Sequence, residues 1–184
     1  MYFSLRRRRA VTLGYLLTLY ASLGLVRPAA EFLRNAGLLR VTVVLLLASA
    51  ALALFRWRST TSSRIQLILR LVLTALVAAA AWLIPGLPEE KLHFLTYGLL
   101  GWLVSWSMEG QKITPLSGRI SALLLVWAAG GVDELIQWYL PDRVFDLRDI
   151  VFNAVAGTAG ILFFETGRRQ AARGAKTGGD EPRT

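Results

Sequence analysis

Residues Asp133–Gly160 read DELIQWYLPDRVFDLRDIVFNAVAGTAG, a polar stretch set inside an apolar chain. Five carboxylates, Arg143, Arg148, Gln137 and Asn153 fall between Ile120–Gly131 upstream and Val151–Phe164 downstream, both greasy enough for a membrane. A charged side chain at the centre of a bilayer helix costs about 2.5–3.5 kcal/mol on insertion scales, and less near the interface. Adjacent acids such as Asp133 and Glu134 within an apolar run therefore mark a functional site by default.

Composition supports the membrane setting. The 184 residues are 54% hydrophobic with a mean hydropathy of +0.48, which is not an ordinary soluble domain. The chain has no cysteine, which excludes disulfides, thiolate nucleophiles and cysteine metal sites. Its net charge is +9, and 18 of the 21 basic residues are Arg. These bases cluster beside apolar runs, as topogenic charge at a lipid surface does, so no nucleic-acid partner is expected.

Working outward, the apolar runs predict an all-α polytopic membrane bundle of about six spans. Arg6–Arg9 precede Ala10–Val26, an uncleaved first span expected to end at Arg27-Pro28. Further spans are expected near Leu38–Phe55, Ile65–Ile84, Glu90–Met108, Ile120–Tyr139 and Leu147–Phe164. Residues 1–166 then form one integral-membrane domain, and 167–184 a flexible basic tail. With an inside N-terminus, 15 basic residues fall on one side and six on the other, so both termini are expected to be cytoplasmic.

Helical spacing gathers the polar residues. Gly130, Asp133, Glu134 and Gln137 share one arc of the fifth span. Asp149, Asn153, Ala156 and Gly160 line the sixth, and Glu90, His93, Tyr97 and Gly101 the fourth. Each stripe is polar at its outer end and small-sided deeper in, so the three spans are expected to pack around an outward-facing polar pocket. Structural roles stay open for His93, the chain's only His, and for Tyr97. Asp146, Arg148 and Asp149 fit helix capping and loop charge equally well. Asp133 and Glu134 also fit a structural ion-pair cluster with Arg143.

EKLHFLTYGLLG (Glu90–Gly101) and DELIQWYLPDRVFDLRDIVFNAVAG (Asp133–Gly157) together resemble the VanZ-like family of bacterial membrane proteins. The matching positions are Lys91, His93, Tyr97, Asp133, Glu134, Gln137, Pro141, Arg143, Asp146, Asp149, Asn153 and Gly160. The likeness covers roughly Glu89–Phe164, with Glu90 in place of Asp, Asp142 in place of Gly and Ala156 in place of Gly. It implies a multi-pass protein of the bacterial plasma (inner) membrane with an envelope role. The family's named member is associated with teicoplanin resistance.

Three functions fit. The first is a binder of membrane lipids, such as a lipid-linked cell-wall precursor, with Arg143 on an anionic headgroup. Gln137, Asn153 and Tyr97 would orient it beside Glu90, Lys91, Asp133, Asp146 and Asp149. The second is a hydrolase or transferase acting on a phosphorylated or acylated lipid, with His93 or Glu134 as general base. No cofactor is implied, although a divalent cation held by Asp133, Asp146 and Asp149 suits that chemistry. The third is a proton-coupled carrier using the acids and His93 as a relay. The topology has a clean test in a cysteine-free chain. In cells, Ser4→Cys and Thr177→Cys should react only with membrane-permeant thiol reagents, and Pro88→Cys and Asp142→Cys with impermeant ones. Impermeant reagent reaching Thr177→Cys but not Asp142→Cys would invert the orientation.

Overall fold

The computed structural model describes residues 3–43, 45, 46, 49, 92–111, 114–141 and 145–177, with side chains apart from 92, 93 and 166–177. Four long helices, α1 (Leu5–Asn35), α2 (Leu92–Met108), α3 (Pro115–Tyr139) and α4 (Leu147–Thr177), are present among the described residues, and no strand. Half of the second expected span, all of the third, and Glu90, Lys91, Asp142 and Arg143 lie outside them. Leu5–Asn35, Pro115–Tyr139 and Leu147–Glu165 are each long and apolar enough to cross a membrane, with mean hydropathy 1.4.

Helix α1 does not end at Arg27-Pro28. It carries Pro28 inside and runs to Asn35. Proline removes one backbone N–H and crowds the carbonyl four residues earlier, here Gly24, which adds no side chain of its own to the crowding. The stop comes at Gly37, whose φ of 70° suits glycine. Leu38 N–H donates to Leu33 O at 2.8 Å and Gly37 N–H to Arg34 O at 3.0 Å, closing the helix in a Schellman motif. The chain then turns back, and Leu39 and Val43 pack against Ala30.

Helix α3 starts earlier than its apolar run. The Thr114 hydroxyl accepts from Ser117 N–H at 3.2 Å and Pro115 occupies the first turn, a strong start signal ahead of Ile120. Helix α4 begins where expected but stays helical through Gly167 to Thr177. The expected tail opens with Arg168, Arg169, Gln170, Ala171 and Ala172, all good helix formers, so the backbone has no reason to stop at Gly167.

Packing centres on glycines, as the stripes foretell. Helices α2 and α4 run parallel, with Phe94 beside Phe152 and Trp102 beside Phe164. Between these pairs, a Cβ on Gly101 would collide with Gly157 O, and one on Gly160 with Gly98 O. The Cα hydrogens there point at carbonyl oxygens of the other helix. Val126 of α3 fills the notch at Gly157, where a Cβ would strike its Cγ1. The core around this crossing is Tyr97, Leu100, Val104, Val126, Ala156 and Ile161.

Helix α1 lies antiparallel to α2 and holds it through side chain to backbone bonds. Thr12 Oγ1 donates to Leu103 O at 3.1 Å, and Tyr15 OH to Thr96 O at 2.9 Å. Arg8 donates to Trp106 O and to Glu109 Oε2, at 3.3 and 2.8 Å.

Gly160→Ala and Gly101→Ala should each lower the unfolding midpoint despite the helix-propensity gain of about 1 kcal/mol. Overpacking costs typically about 1–3 kcal/mol, and here the obstacle is backbone. Gly131→Ala, with nothing within 4 Å of its Cβ position, is the matched control and should be neutral or stabilising. Thermal unfolding of the three variants in one detergent checks the order.

Candidate functional site

One turn above the glycine crossing, three helices place five polar side chains together. Tyr97 of α2, Asp133, Glu134 and Gln137 of α3, and Asn153 of α4 are each 0–2% exposed. Periodicity explains the arc on α3: Ala122, Val126, Ala129, Gly130, Asp133, Glu134 and Gln137 are its buried residues, so the stripe turns from apolar to polar along one face. Gly130 makes the meeting possible. A Cβ there would lie 3.0 Å from Asn153 Cβ and 3.7 Å from Tyr97 Cε1.

The hydrogen bonds knit the cluster together. Asn153 Nδ2 donates to Asp133 Oδ2 at a long 3.4 Å, and Gln137 Nε2 to Glu134 Oε1 at 3.4 Å. The Asp146 backbone N–H donates to Glu134 Oε2 at 3.1 Å, tying the start of α4 to α3. Tyr97 OH donates to Ala129 O at 3.2 Å and is also within hydrogen-bonding reach of Asp133. Buried polar groups must be satisfied in this way, because each orphan costs about 1–3 kcal/mol.

A sixth side chain comes from α1, which sequence spacing did not bring to the site. Tyr20 OH donates to the same Ala129 O at 2.9 Å. Arg8, Thr12, Tyr15 and Tyr20 form a polar line along an otherwise apolar span. Polar side chains in a membrane helix face protein rather than lipid, and that was the available signal.

The remaining expected residues fall differently. Asp146 caps α4: its Oδ1 accepts from Arg148 N–H at 2.8 Å, and its carboxylate pairs with the Arg148 guanidinium. The Arg148 side chain, then the Arg148 backbone N–H, hold the Asp146 carboxyl below the usual carboxylate range. Asp149 sits half-buried in the first turn of α4, where a negative charge suits the helix dipole. Asp133, Asp146 and Asp149 do not assemble as a metal site: no cluster of three or more His, Cys, Asp or Glu able to hold an ion is present among the described residues. Asp133 turns inward to Asn153, while Asp146 turns outward to Arg148. His93 belongs to the first turn of α2, with its side chain outside the described set, as are Glu90, Lys91 and Arg143.

The acid–Tyr–Gln–Asn grouping thus recurs in space as in sequence, and a family model for VanZ/LLP1 matches residues 10–168. The chain belongs to the VanZ/LLP1 family. No curated protein and no solved structure matches it. The family match begins at Ala10, so it takes in α1 and the expected second and third spans, beyond the Glu89–Phe164 likeness. Family and apolar helices together make this VanZ/LLP1 chain a membrane protein.

Two tyrosines donating to one carbonyl make a measurable pair. Tyr97→Phe or Tyr20→Phe alone leaves Ala129 O with the other hydroxyl, so Tyr20→Phe should cost no more than roughly 1 kcal/mol, and Tyr97→Phe more because it also takes a donor from Asp133. The double variant loses both, and its cost should exceed the sum of the singles by at least about 0.5 kcal/mol. Strict additivity in a double-mutant cycle would mean the two bonds are energetically separate.

Proposed function

We propose that this chain is a multi-pass protein of the bacterial inner membrane that binds a lipid-linked or anionic envelope component. The site is the polar cluster of α2, α3 and α4. One observation carries the reading: Tyr97, Asp133, Glu134, Gln137 and Asn153 are brought from three helices into one buried group at one end of the bundle. Scaffolding alone needs no such concentration, since the glycine crossing already packs these helices. Acids next to amide and phenol groups suit hydroxyls and amines of a headgroup. Arg143, which falls between α3 and α4 in the sequence, is the candidate for its anionic part. A lipid-linked cell-wall precursor has both chemistries. The family's association with teicoplanin resistance gives the reading its physiological direction.

A second reading has one observation in its favour. Glu134 is fully buried yet held by only two donors among the described residues, the Asp146 N–H and the Gln137 amide, which is the situation of a general base awaiting substrate. His93 lies four residues before Tyr97 on α2 and is the partner that chemistry would use. The substrate would be a phosphorylated or acylated envelope lipid.

Native mass spectrometry of lipids retained by the purified protein separates these outcomes. Asn153→Leu and Arg143→Ala should each lower retention of the bound lipid about tenfold, the size of one lost charge-assisted hydrogen bond. Arg148→Ala, which removes the exposed capping pair, should leave retention within about twofold. Unchanged retention in both Asn153→Leu and Arg143→Ala would reject the site. Product formation that His93→Ala and Glu134→Gln both abolish, with lipid still retained, would select the enzyme.

A further inference from the structure

At the end of the bundle away from Asp133 and Glu134, the turn between α2 and α3 borders a cavity of about 60 Å³. Its polar wall includes Ser105 of α2, Glu109, Gln111 and Thr114 between α2 and α3, Arg119 of α3 and Glu165 of α4. The Ser105 hydroxyl is buried, the residue being 7% exposed, and has no hydrogen-bond partner among the described residues. Its neighbour on the same helix, Ser107, instead donates to Val104 O at 2.8 Å. A buried hydroxyl without a partner costs about 1–3 kcal/mol, so its position in the wall points to a hydrogen-bonding group in the cavity.

Charge limits what that group is. Arg119 donates through Nε and Nη2 to Glu165 Oε2, at 3.3 and 3.0 Å, and Arg8 pairs with Glu109 Oε2 at 2.8 Å. Each wall carboxylate already has its cation, so among the described residues no charge is left over for an ionic ligand. Beyond those bonds the wall keeps both kinds of group: an arginine donates, carboxylates accept, and the Ser105 hydroxyl does both. A neutral pair of adjacent hydroxyls, each donating and accepting, is the complement of that wall. The cavity exceeds the ~10–15 Å³ that one water molecule needs, so it admits a group the size of a diol's end.

We propose that this cavity is a second binding site, for the terminal diol of a glycerol-type polyol, either on a lipid headgroup or free in solution. Its place at the ends of α2 and α3 puts it at headgroup depth if those helices span the bilayer. The proposal does not rest on the function assigned to the Asp133–Glu134 cluster.

The test uses the full-length protein in detergent with three probes: phosphatidylglycerol, phosphatidic acid and free glycerol. Phosphatidylglycerol carries the diol; phosphatidic acid is anionic without it. Native mass spectrometry should show phosphatidylglycerol retained about fivefold over phosphatidic acid, and Ser105→Ala should erase that preference. If free glycerol instead shifts the unfolding midpoint and Ser105→Ala removes the shift, the proposal holds with a soluble polyol as ligand. Without added ligand, Ser105→Ala should unfold no earlier than wild type, because it deletes a hydroxyl that nothing satisfies. Equal retention of the two lipids with no glycerol effect would overturn the proposal, leaving a water-filled cavity. A preference that survives Ser105→Ala would overturn it equally.

Discussion

The rest of the bundle depends on two backbones touching. Where α2 crosses α4, Gly101 faces Gly157 O and Gly160 faces Gly98 O, with no side chain between them. In lipid there is no hydrophobic drive to bring apolar helices together, so contact area and weak Cα–H···O bonds must do it. That close crossing sets the distance at which Asn153 reaches Asp133 and Tyr97 reaches Ala129. Widen it by one methyl group per glycine and bonds already 3.2–3.4 Å long would part. Packing and polar chemistry are therefore one feature, seen at two depths of the same three helices.

Helix α1 adds a different kind of hold. Its contacts with α2 and α3 are made largely by side chains donating to main-chain carbonyls: Thr12 to Leu103, Tyr15 to Thr96 and Tyr20 to Ala129. Such bonds read backbone position rather than side-chain identity, so the surface they recognise keeps its acceptors through most substitutions. At the far end the Arg8–Glu109 and Arg119–Glu165 pairs clasp α1 to α2 and α3 to α4. These partly exposed pairs contribute little singly, and their geometry matters more than their energy.

Much of the site was legible because helical periodicity and burial cost point the same way. Asp133, Glu134, Gln137 and Gly130 fall on one arc by counting, and no lipid-facing arc could bear two acids. The same counting linked Asn153 to Gly160 and Tyr97 to Gly101. It could not decide which small residue makes the tightest contact. Ala156 and Gly157 adjoin in sequence, and only the crossing geometry selects Gly157 for Gly101 and Val126. Nor could it choose for Asp146 between capping and tertiary service; the carboxylate caps its helix, while its N–H serves Glu134. Helix ends were least legible. Pro28 carries the stronger breaker reputation, but Gly37 offers the left-handed turn that closes carbonyls, and the helix waits for it. Tyr20 was missed because the likeness to VanZ-like proteins was recognisable only from Glu89 onward, whereas the family match runs from residue 10.

The length of α1 has a consequence for the membrane itself. At about 1.5 Å per residue its 31 residues reach ~46 Å, well beyond a hydrocarbon layer of ~30 Å. An average tilt of about 20° absorbs little of that excess. The wet ends are fixed by Arg9 and Arg27, and the apolar stretch between them is 17 residues, or about 26 Å. If those two arginines sit at opposite faces of a bilayer and do not snorkel, the lipid around α1 is drawn a few ångström thinner than its surroundings, at fractions of a kcal/mol per ångström. Thinning brings headgroups and their water nearer to the depth of Tyr20, and so nearer to Asp133 and Glu134. The acids are buried in protein, but in such a bilayer the greasy barrier between them and the aqueous phase would be shallower than their positions along the helix suggest.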